Sequence, residues 1–178
     1  MKSYNESKKL GNSIKKLQKK IFNKKLKSLN EIKAVMLDDK MRLKVLDFIL
    51  NYDIKIHVLV VKKENHNFKK YLSKNGVNKT YINLVNYLLS KISIDDSIDF
   101  KLDKFVPKNQ ESSFKLEILE IFKKDRKTSN ISFVISERWK GIQAVDLIAW
   151  STFQYFENNN KIFLQKIENK VQVKIYKK

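Results

Sequence analysis

Apolar residues at the start of the chain recur with the period of a helix. Leu10, Ile14, Leu17 and Ile21 are spaced four, three and four apart, which sets them on one face. Lys15, Lys16, Lys19, Lys20, Lys24 and Lys25 cover much of the remainder, so residues 8–28 read as a basic amphipathic helix. A second helix is predicted from Asp38 or Asp39, either of which suits a cap, to about Leu50. Residues 54–61 begin as an alternation and end as the unbroken apolar run Val58 to Val61, the pattern of a central strand covered on both faces. Helical spacing returns over 77–92, 110–126 and 142–156. Ile98 to Leu102 and Ile131 to Ile135 read as strands, and the alternating tail from Val171 to Tyr176 as an edge strand.

Strands alternating with helices predict an α/β fold with about three parallel strands flanked by helices. At 178 residues the whole chain, 1–178, reads as one domain with enough apolar content, 42%, to build a core. The charge is the departure from the ordinary. Thirty-eight Lys and Arg against 19 Asp and Glu leave +19. A surface this basic favours a polyanion, nucleic acid ahead of an anionic membrane. Residues 1–33 hold 11 of the cations and 2 of the acids, nearly half of the excess.

Other classes fall on counts. With no cysteine there is no disulfide framework, thiolate nucleophile or thiolate metal site. Only His57 and His66 are present, too few for a His-rich zinc site. Three glycines, Gly11, Gly76 and Gly141, build neither a dinucleotide-binding loop nor a P-loop. No apolar run approaches the ~18 residues of a membrane span, and the basic N-terminus lacks the apolar segment of a secretory signal. The expectation is a cytoplasmic protein with no membrane partner.

Two acids stand out by position. Asp103 closes a predicted strand, and ligands of open α/β sheets gather beyond the carboxyl ends of strands. Asp146 lies in the apolar helix from Ile142 to Trp150, where a carboxylate needs a partner; Gln143, three residues earlier, shares its face. A Mg²⁺ or Mn²⁺ ion is one such partner, since hard cations take carboxylate oxygens. The plainer alternatives are a turn cap for Asp103 and local hydrogen bonds for Asp146. Lys63 after the first strand is either a phosphate contact or a solvated strand end. Trp139 and Trp150 read as a loop cover and a core packer.

The stretch from Val134 to Trp150, with Gln143 and Asp146 in its helix, resembles the closing motif of domain-of-unknown-function family 3800. Glu31-Ile32-Lys33, the strand ending at Lys63, and Ile98 to Lys104 with Asp103 follow the family's order, over about residues 14–156. The resemblance implies a ribonuclease-H-like fold and Mg²⁺-dependent nuclease chemistry. It makes Asp103 and Asp146 catalytic metal ligands, and it puts Glu31, Lys33, Lys63 and Gln143 near the substrate. The family's opening strand with its Asp-Glu-Ser-Gly motif has no clear counterpart, Asn5-Glu6-Ser7-Lys8 being a faint echo. The chain then reads as a truncated ribonuclease-H-like fold, inactive alone, with an exposed edge on its first strand that invites self-association or a chain supplying the missing strands. The competing expectation is a nucleic-acid-binding module that does not cut, or the remnant of a truncated gene.

Overall fold

A computed structural model describes residues 2–21, 31, 33–64, 66–92, 98–104, 107–123 and 129–176. Contacts divide the chain into two compact units: residues 1–56 with 134–172, and residues 57–133 with 173–178.

The first unit is mainly helical. Helix α1, Lys2–Ile21, covers the described part of the predicted basic helix; residues 22–28 of that prediction lie outside the described residues. Helix α2 is Asp39–Leu50, and Asp38 caps it by accepting the Met41 N–H at 2.7 Å, as its position predicts. Helix α5, Lys140–Glu157, and the short α6, Ile162–Lys166, complete the set once α3 and α4 of the other unit are counted. α1 and α6 each pack on both α2 and α5. The shared core holds Leu10 and Ile14 of α1, Val45, Leu46 and Ile49 of α2, Ala144, Leu147 and Ile148 of α5, and Phe163 and Ile167. Burial of Leu10, Ile14 and Gln18 at helical spacing fixes which face of α1 is turned inward.

The second unit carries the strands. Strand β1, Ile56–Val60, of which Ile56 belongs to the first unit, is followed by α3, His66–Leu89, β2, Ile98–Asp103, α4, Glu111–Lys123, and β3, Ser129–Val134. β4 is the tail, Val171–Ile175. These short parallel strands form two pairs, β1 with β4 and β2 with β3, where one sheet of about three strands was expected. The α/β class stands, and the single sheet is corrected. β1 is not a central strand: Ile56 is buried and His57 to Val60 are only half-buried. One edge of β1 is paired with β4, where the Tyr176 N–H donates to the Val60 carbonyl at 2.9 Å. The expectation of self-association rested on that edge, and the tail occupies one side of it.

Local chemistry explains the tail's placement. Tyr176 packs edge-on against Phe68 and Tyr87, with ring centroids 6.4 and 5.0 Å away. The Lys174 ammonium donates to the Lys91 carbonyl at 2.6 Å. Lys174 and Tyr176 are thus the more buried face, while Val173 and Ile175 are exposed, the reverse of the apolar-inward alternation. Under β2 and β3 lies a core of Ile82, Phe114, Ile118 and Ile131, flanked by Phe100, Leu102 and Phe133. No described helix is long and apolar enough to cross a membrane.

α3 starts eleven residues before the predicted 77 and breaks within, at Gly76, where φ is 72° and ψ 170°. That region of backbone space is essentially reserved for glycine. Gly76→Ala is expected to lower stability by about 1–3 kcal/mol although no atom stands within 4 Å of the added methyl. Urea unfolding of the two proteins measures the difference, and equal midpoints would remove the strain argument.

Candidate functional site

Four of the six residues singled out from the sequence meet in the first unit. Glu31 and Lys33 lie just before a short 3-10 turn, Ala34–Met36, that rests on α5. Gln143 and Asp146 sit three apart on α5 and face that segment. Between them runs a chain of hydrogen bonds. The Ser136 hydroxyl donates to Glu31 Oε1. The Ser136 carbonyl accepts from Gln143 Nε2 at 3.0 Å. Asp146 Oδ2 accepts the Ala34 N–H at 3.0 Å. Since Glu31 and Ala34 are three residues apart, the bonds close into a ring joining two segments more than a hundred positions apart in sequence. Lys33 stands at the rim, its ammonium 4.0 Å from Glu31 and mostly exposed.

The Ala34 peptide is held from both sides. Its carbonyl accepts from Arg42 Nε at 2.9 Å. The same guanidinium bonds Asp39 at 2.6 Å and lies 4.1 Å over the Trp150 ring, which packs edge-on against Phe163. Arg42 thereby connects α2, the 3-10 turn, α5 and α6. The fork geometry of guanidinium allows one side chain to stack and donate at once. Trp150, read as a core packer, is half-buried, between Arg42 and Phe163 at the edge of the core. Sequence reasoning did not find Arg42; its only signal was Asp39 three residues before it on the same helix.

α5 opens with neither an acid in its first turn nor a side-chain cap on Trp139. Lys140 stands there, and α1 comes alongside at Gly11, whose added Cβ would lie 3.9 Å from the Lys140 Cβ. Burial pushes the Lys140 ammonium's pKa down, and the nearby Lys15 pushes it further, against the opposing pull of Glu31 and Glu137. Gln143 is 6% exposed, and its Oε1 has no hydrogen-bond partner.

Asp103 and Lys63 belong to the second unit and are described there alone. Lys63 is exposed in the turn after β1. Asp103, at the end of β2, is exposed and accepts the N–H of the next residue, Lys104, at 2.9 Å. With burial as the larger cause, the Asp103 charge also raises the Tyr81 phenol. A two-ion centre needs several carboxylates around cations about 4 Å apart. Among the described residues no three His, Cys, Asp or Glu side chains gather in that way. Asp146 and Asp103 each spend an oxygen on a backbone amide. Neither unit by itself gathers, among its described residues, the set of carboxylates such a centre needs. Compared with protein-family models, curated proteins and solved structures, the chain matches none.

Two outcomes are expected from this geometry. Asp146→Ala leaves the Ala34 N–H without its acceptor and should cost about 1 kcal/mol, as loss of a helix-cap acceptor does, while Asp146→Asn keeps an acceptor oxygen and costs less; chemical denaturation ranks the two, and equal losses would show that the oxygen does not matter. Lys15→Gln removes a like charge beside Lys140, so the Lys140 pKa should move up toward its ordinary value. An NMR titration of the lysine ammonium groups reads that shift, and an unchanged or lowered value would contradict the placement.

Proposed function

We propose that this protein is a nucleic-acid-associated chain related to ribonuclease-H-like nucleases, one that does not cleave phosphodiesters on its own. The observation that carries the reading is the ring itself. Glu31, Lys33, Gln143 and Asp146 are the residues that the family resemblance marks for one site, and they converge although the sequence separates them widely. A net charge of +19 supports a polyanionic partner.

The loss of cleavage follows from what the acids do. Hydrolysis of a phosphodiester by a metal pair requires one ion to activate water and another to steady the leaving oxygen. Asp146 gives one oxygen to the Ala34 N–H and Asp103 one to the Lys104 N–H, and neither joins a group of three acids or histidines among the described residues. Lys33, exposed at the rim 4.0 Å from Glu31, is the cation of this group that a phosphate would meet. The reading is thus of a nuclease-like scaffold whose site binds more readily than it cuts, and a purely binding module is the neighbouring alternative that the lysine content favours.

Incubating the purified chain with labelled DNA and RNA in Mg²⁺ or Mn²⁺ tests this. No cleavage above background is expected from the wild type or from Asp146→Asn. Metal-dependent cleavage by the wild type that disappears in Asp146→Asn would overturn the reading.

A further inference from the structure

Residues 7–30 hold nine lysines and neither an acid nor an arginine. Within the described part of this stretch, Lys8, Asn12, Lys15 and Lys19 are all exposed. Their spacing of four, three and four sets them in one stripe along α1. At about 1.5 Å rise per residue, the stripe runs about 16 Å from Lys8 to Lys19. Leu10, Ile14 and Gln18 are buried on the face that meets α5. The inward residues fix the rotation of the helix, so the lysine stripe is held outward by packing and not by chance orientation. Gly11 brings Lys140 of α5 beside the same stripe near Lys15.

We infer that the Lys8–Asn12–Lys15–Lys19 stripe of α1, extended by Lys140, is a track for the sugar-phosphate backbone of a nucleic acid, read without regard to base sequence. This rests on the nucleic-acid reading above and gives it a surface along α1 that reaches the ring only at Lys140, beside Glu31. Charge complementarity names the occupant. Several cations of one sign on a rigid element gain little from each other and much from a chain of evenly spaced anions. The choice of lysine also matters. Base-edge recognition relies on planar, bidentate groups, above all arginine, whereas ammonium groups act as point charges on phosphate oxygens. Asn12, between Lys8 and Lys15, is neutral and short enough to let a backbone lie against the helix, and its amide can donate to a phosphate oxygen. A stripe of this composition positions a strand and specifies nothing about its bases.

The test compares three proteins in fluorescence anisotropy titrations of a labelled mixed-sequence duplex across a salt series. They are the wild type, Lys8→Gln/Lys15→Gln/Lys19→Gln, and a control with equal charge loss on exposed positions elsewhere in the same unit, Lys44→Gln/Lys55→Gln/Lys161→Gln. Circular dichroism confirms that all three fold, which exposed lysines leave undisturbed. The stripe variant is expected to bind about ten- to a hundredfold more weakly at low salt, with a salt slope shallower by about 2–3. The control should stay close to the wild type, and duplexes of different sequence should bind alike. Wild-type binding that both triple variants weaken equally, or that neither weakens, overturns the track while leaving the nucleic-acid reading in place. A wild type that does not bind the duplex even at low salt overturns that reading itself. Lysine-dependent binding to vesicles containing anionic phosphatidylserine, without binding to the duplex, overturns the choice of partner.

Discussion

The Ala34 peptide is the point on which the first unit turns. Its N–H goes to Asp146 and its carbonyl to Arg42, so a residue that is itself buried joins α5 and α2 by its backbone. A buried polar group left unpaired costs more than a paired one gains, so the acceptor on Asp146 counts most, while the Ala34 carbonyl is shared between Arg42 and the Leu37 N–H at 3.3 Å. Arg42 then carries the constraint into the core through its stacking on Trp150. Asp146 carries it along α5 to Gln143, and Gln143 to the turn containing Ser136. The orientation of Glu31 and Lys33 is a consequence of this clamp, because they are the residues leading into it.

The clamp changes how the acids are understood. A carboxylate on an apolar helix looks like a metal ligand in waiting, since it needs a partner. In the structure Asp146 is exposed, so burial does not demand a partner, and one of its oxygens accepts the Ala34 N–H at the start of the 3-10 turn. Asp103 does the same at the end of its strand on a smaller scale. In both places one carboxylate oxygen holds a backbone amide, a structural contribution that spacing alone did not reveal. The basic helix α1 lies on the other side of this logic: its apolar stripe is spent on α5, and its lysines are therefore committed to solvent and to whatever anion arrives there.

Much of this was legible before any coordinates. Periodicity placed α2, α4, α5 and all four strands within a few residues, because amphipathic faces and alternation are local signals. Position narrowed the cap of α2 to Asp38 or Asp39, and the structure uses Asp38. The convergence of Glu31 with Gln143 and Asp146 was visible only through resemblance, since nothing local joins residues so far apart. Strand pairing was not legible: β1 chose the tail, and that choice depends on Tyr176 finding Phe68 and Tyr87. The tail's facing was misread for the same reason, because an aromatic ring and a lysine with a carbonyl to reach outweighed two branched aliphatics. Arg42 was invisible because its role exists only once four elements have met around it.

Native-state hydrogen exchange at the Ala34 amide gives the most direct view of the clamp. With Asp146 as its acceptor, that amide should exchange as slowly as the interior amides of α5, and should do so equally in the absence and presence of millimolar Mg²⁺. Exchange at the rate of an open loop amide, or protection that Mg²⁺ releases by drawing Asp146 away, would contradict an architectural role for the carboxylate.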